Sequence, residues 1–130
     1  VTASTAKFIR GVPPKSVKGL WFGQYNLGWN GTFDDWAPAF TSPEADAFHN
    51  SLGVVFSVAH QMNLKDPGNT YKPKAKIGIE VFHCFNSLEG AQELGKAFNP
   101  ESPFFKDEPR YVGPYDATIW KIVDDIDYTA

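Results

Sequence analysis

The sequence predicts an α+β domain of ferredoxin-like order, β-α-β-β-α-β, an antiparallel sheet with helices on one face. Three observations predict it. Runs of β-favouring residues flank segments of helical periodicity, the helical segments open on capping residues, and the pattern that follows each helix recurs. At 130 residues the chain matches one domain with one continuous core. Its 42% hydrophobic and 21% charged content is ordinary globular usage and excludes wholesale disorder.

Residues 1–16 are polar and end in Pro13-Pro14, so they are expected to form a surface arm, leaving 17–130 as the single α+β domain. The first strand is read over 17–27, with Gly19 and Gly23 marking a bend or close approach. Thr32 then caps a helix carrying Phe33, Trp36 and Phe40 on one side, which Pro38 should cut short. Ser42 and Pro43 open a second short helix with Ala45, Phe48 and Leu52 as its apolar stripe, and Gly53 closes it. A strand at 54–62, a long turn-rich connection at 63–73 and a strand at 75–85 follow. Asn86 and Glu89 form the expected capping box of the next helix, whose face holds Leu88, Ala91, Leu94 and Phe98. Beyond Asn99-Pro100 an irregular aromatic segment with Pro103, Pro109 and Pro114 leads to a last strand at 117–123.

The repeat is the most specific signal. Ala39-Phe40 is followed by Pro43-Glu44 and Phe48, and Ala97-Phe98 by Pro100-Glu101 and Phe105. Both copies then reach a glycine and a strand, through Gly53 and Gly113, as two halves about a pseudo-twofold axis would. Over roughly residues 17–125 this layout resembles the dimeric α+β barrel superfamily, which includes EthD-like proteins, small antibiotic-biosynthesis monooxygenases and polyketide cyclases. Pro38 and the long 63–73 connection depart from that pattern, and no catalytic motif of the superfamily maps onto the chain residue by residue.

Charge and composition exclude some functions. A net charge of −3 with no basic stripe argues against nucleic acid as a partner. No apolar stretch is long enough to span a membrane as a helix, and no signal-peptide pattern opens the chain. Cys84 is the single cysteine, which rules out an internal disulfide and leads us to expect a cytoplasmic setting, a removed targeting segment before Val1 being the open alternative. Asn30-Gly31-Thr32 matches a glycosylation acceptor but reads better as a turn and helix cap.

Apolar side chains alternate onto both sides of the predicted strands, while helices cover only one, so a homodimer closed face to face is expected. The 15% aromatic content, with four Trp, five Tyr and eleven Phe, exceeds what a minimal core needs and suggests a ligand pocket or an interface. Strand parity puts His60 and His83 on different rows and at opposite ends of the sheet, so no metal site is expected. Glu80 is unusual as a carboxylate in an apolar strand row, and burial would raise its pKa toward that of a general base. His49, three residues after Asp46 on one helix face, reads first as a solvated histidine. Asp34-Asp35 reads as favourable charge at a helix N-terminus, Cys84 as a buried thiol, and Asp124, Asp125 and Asp127 as a solvated tail.

The resemblance implies an enzyme acting without a cofactor, as a cyclase, isomerase or monooxygenase, on a hydrophobic, aromatic or polyketide-like small molecule. Trp21, Tyr25, Trp36, Phe40, Phe82 and Trp120 are the expected walls, and His60, His83 or Glu80 the expected proton-moving groups. Haem binding, also found in the superfamily, is a lesser expectation. The alternative is a non-catalytic accessory subunit that uses the aromatic segment 101–116 as a protein interface.

Overall fold

The computed structural model of the protein describes residues 6–124. In chain order the elements are β1 (Ala6–Gly11), β2 (Trp21–Trp29), α1 (Phe33–Thr41), α2 (Pro43–Ser51), β3 (Val54–Met62), β4 (Ile77–Phe85), α3 (Leu88–Lys96) and β5 (Tyr111–Lys121). The strands form one antiparallel sheet ordered β1-β3-β4-β2-β5. The α+β architecture, with β2 and β4 central and antiparallel, is compatible with a ferredoxin-like fold to which β1 adds an edge. Asp125 and Asp127, and with them most of the expected acidic tail, lie outside the described residues.

The arm is the first correction. Rather than lying outside the fold, Ala6–Gly11 pairs along β3, with Arg10 opposite Ser57 and Phe8 opposite Ala59. Gly11 ends the strand at φ +74, where a Cβ would come within 2.5 Å of the Val55 carbonyl oxygen, so glycine is required. The sequence signal was weak because Phe8 and Ile9 are the only large apolar residues in so short a strand.

Pro38 does not cut α1 short. The helix runs through it to Thr41, because a proline here removes one backbone donor from a helix of only nine residues, and Ser42 ends it by capping α2. At the start of α1 the Thr32 hydroxyl accepts from the Asp35 amide at 3.1 Å, while the Asp35 carboxylate accepts from the Thr32 amide at 3.3 Å. The expected turn and cap at 30–32 are therefore present. The cap of α3 is Ser87, one residue beyond the expected Asn86, with its hydroxyl accepting from the Gly90 amide at 3.2 Å. The last strand starts at Tyr111, earlier than expected, and passes through Pro114, which an edge strand tolerates because its outer donors need no partner.

All three helices lie on one face of the sheet. Phe33, Trp36 and Phe40 of α1 pack with Leu27, Trp29, Ala59, Ile79 and Val81, while Ala91 and Leu94 of α3 pack with Tyr25 and Phe85. The fully buried Tyr25 hydroxyl donates to the Ala91 carbonyl at 2.8 Å, tying α3 to β2. The opposite, open face carries Phe22, Phe56, Val58, His60, Phe82, Glu80, Cys84 and Trp120 by strand parity. Helices do not cover this face, but the 63–76 connection covers one end of it. The space a side chain would fill at Gly78 is taken by Leu64 and Met62, and at Gly28 by Pro73 and Ala75. Buried Tyr71 fastens the connection by donating to the Pro114 carbonyl.

Candidate functional site

Between the sheet and the helices lies a cavity of about 270 Å³, near the lower limit of ordinary ligand pockets. Its wall is mostly aromatic. Phe40 and Phe48 come from the first copy of the repeat and Phe98 and Phe105 from the second, so the recurring aromatic positions converge on one space. The copies are unalike locally: Pro43-Glu44 begins α2, whereas Pro100-Glu101 lies in a series of turns.

Two histidines interrupt the apolar wall. His83 reaches it from β4 and His49 from α2, their rings stacked at 4.6 Å between centroids and 29° between planes. Each is fixed through Nδ1. The Ser57 hydroxyl of β3 lies 2.5 Å from His83 Nδ1, and Arg10 of β1 donates to His49 Nδ1. Arg10 is in turn held by the Asp46 carboxylate at 2.8 Å, the Ala45 carbonyl at 3.4 Å and the Phe40 carbonyl, and its guanidinium lies over the Phe40 ring. Burial, reinforced by the Arg10 charge, pushes His49 down to about 4. His83, 2% exposed, is held well below the ordinary histidine value by burial first and then by His49 and Arg10. Both rings are therefore neutral near pH 7.

The predicted site residues divide between the two faces. His83, Trp36 and Phe40 line the cavity. Tyr25 stands behind it, 5.6 Å from the His83 ring and 5.0 Å from Phe98, and Trp21 packs against the α3 side of the core. His60, Glu80, Phe82 and Trp120 are on the open face, away from the cavity. There the buried Glu80 carboxylate accepts from His60 Nε2 at 2.5 Å and from the Gln24 amide, and the His60 ring stacks on Phe82 at 6.1 Å. Glu80 is thus buried rather than rim-exposed, and partnered.

His49 corrects the reading of a solvated helix histidine, being only 8% exposed. A usable signal existed in its position one residue after Phe48 on a stripe facing the sheet, while Arg10, which orients it, had been assigned to the arm. Cys84 is buried on the open face between Phe22 and Phe56, and burial raises its thiol pKa. Among the described residues no three His, Cys, Asp or Glu side chains gather as metal ligands, and no helix is long and apolar enough to cross a membrane.

No family model, curated protein or solved structure matches the chain.

Proposed function

We propose that the protein binds a small aromatic or polyketide-like carbonyl compound between its sheet and helices and acts on it without a cofactor, as a cyclase, isomerase or monooxygenase does. The observation that carries this reading is the pair of neutral, oriented imidazoles on the wall of an otherwise aromatic cavity. Such a cavity offers dispersion contact to a planar ligand and polar groups at one point only, where a carbonyl can be polarised and an adjacent proton moved. His83 keeps the proton-moving role expected of it, and His49 joins it. Among the described residues Glu44 is the one carboxylate on the cavity wall.

Thermal shift against mono- and bicyclic aromatic carbonyl compounds tests this reading. At least one should raise Tm, and Ala97→Phe, which fills the cavity from its α3 side, should abolish the rise. Absence of any shift across such a panel rejects the proposal.

The same reading includes a homodimer closed through the open face. Ile9 is 68% and Trp120 40% exposed there, and Trp120 stacks with Phe22 at 6.1 Å as part of an apolar patch. Light scattering at micromolar concentration should return twice the chain mass; the monomer mass rejects it. The accessory-subunit alternative draws less support, since Phe105 stacks on Tyr115 at 4.7 Å and meets Tyr111 at 4.8 Å, leaving Phe104 as the exposed ring of that segment.

A further inference from the structure

We propose that His49 and His83 present two imidazole N–H donors to a single acceptor of the ligand, so that the cavity selects aromatic compounds bearing a carbonyl or phenolate oxygen. This rests on the cavity being the ligand site, and it names what that site recognises.

The tautomers follow from the partners. A guanidinium only donates, so the nitrogen of His49 that meets Arg10 must offer a lone pair, and its proton sits on Nε2. The second ring is decided by Ser57, which is fully buried. Among the described residues its hydroxyl has one partner, His83 Nδ1. If Ser57 donates, both groups are satisfied. If instead His83 donates, the hydroxyl proton is left buried and unpaired, which costs the desolvation of that group with nothing gained in return. The first arrangement is favoured, and it places the His83 proton on Nε2 as well.

Both rings are on the cavity wall; His83 Nε2 has no protein partner among the described residues, and the His49 ring also meets the Ala45 backbone carbonyl, with which a ligand oxygen would compete for its proton. Burial and the Arg10 charge disfavour a further proton on either ring, so they act as neutral donors rather than cations. A carbonyl or phenolate oxygen has lone pairs enough for two such donors. A ligand without an acceptor would strand the His83 N–H in a desolvated space, which is how a polar site rejects an apolar analogue.

The test compares 1-tetralone with tetralin, which share a bicyclic skeleton and differ by the carbonyl. Calorimetry on the full chain at pH 7 should show 1-tetralone binding at least ~10-fold tighter, as one or two recovered hydrogen bonds allow. His83→Phe should erase most of that preference while retaining tetralin binding. Because that variant perturbs a buried position, long-range 15N–1H NMR on the unmodified chain provides an independent readout, in which both histidines should be Nε2–H tautomers. Equal binding of the two compounds, or an Nδ1–H tautomer at either ring, overturns the inference while leaving the cavity as a ligand site. Binding of neither compound overturns the ligand-cavity reading and this inference with it.

Discussion

On the helix-covered face His83 meets a serine hydroxyl and a second imidazole at the wall of a cavity, whereas on the open face His60 meets the Glu80 carboxylate at 2.5 Å. The two histidines sit on the neighbouring strands β3 and β4, and both have a buried partner on the adjacent strand. The neighbours separate them. A carboxylate that also accepts from Gln24 absorbs the polarity of His60 within the sheet. Next to His83 are a hydroxyl, a neutral ring and a distant guanidinium, none of which takes up its Nε2. A histidine's chemical availability is thus decided by what saturates it, not by its strand or its burial.

Several measurements press on this contrast. The largest effect should come from the helix-covered face: Tyr25→Ala removes a fully buried ring and its bond to Ala91, and should cost about 3–5 kcal/mol in urea denaturation. Phe82→Ala, half-buried on the open face, should cost clearly less. Equal costs would show that the open face is as tightly packed as the other.

Acid titration comes next. Histidine takes a proton near 6.5 in the unfolded chain, and folded His49 only near 4. Between those values the unfolded state alone is protonated, so stability falls as pH drops through this window, by about 3 kcal/mol from His49. Buried His83 adds to the loss in the same direction. His49→Gln should flatten the slope of unfolding free energy against pH between 6.5 and 4, and an unchanged slope would show that His49 is not held neutral.

A smaller effect is expected from the hydrogen bonds of Glu80 on the open face. Glu80→Ala leaves His60 and Gln24 without their acceptor and should cost about 1–3 kcal/mol, with ligand affinity in the cavity unchanged. A loss of ligand binding together with intact folding would move the functional site to the open face. Smallest for the chain's own stability is Trp120→Ser, within about 0.5 kcal/mol as for most surface changes. Its readout is mass: the variant should be monomeric, whereas the proposed open-face dimer predicts twice the chain mass for the unmodified chain.

Much of the fold could be read from the sequence because the signals were local. Thr32 and Ser42 announce their helices through side chains that reach a backbone amide three residues on, and Gly53 closes α2 with a positive φ of +79. Strand parity also put Glu80, Phe82 and Cys84 on one row of their strand and His83 on the other, since a period of two needs no tertiary information, but which row of β3 shares a face with which row of β4 depends on the register. The missed features depend on long-range contacts. β1 is a strand because β3 offers it an unpaired edge, and Arg10 matters because residues 30 to 39 positions away, Phe40, Ala45, Asp46 and His49, fold over it. The pairing of His49 with His83 likewise joins α2 to β4, and no spacing in the sequence encodes that contact. Which of His60, His83 or Glu80 faces the helix-covered cavity could not be read for the same reason, the two faces being alike in side-chain type.

The claim that the helix-covered face takes the ligand is tested most directly by titrating the isotope-labelled chain with 1-tetralone and following side-chain and backbone NMR shifts. The changes should centre on His83, His49, Trp36, Phe40 and Phe98, leaving His60, Phe82 and Trp120 unmoved. Shifts confined to His60, Phe82 and Trp120 would contradict the account and assign the ligand to the open face.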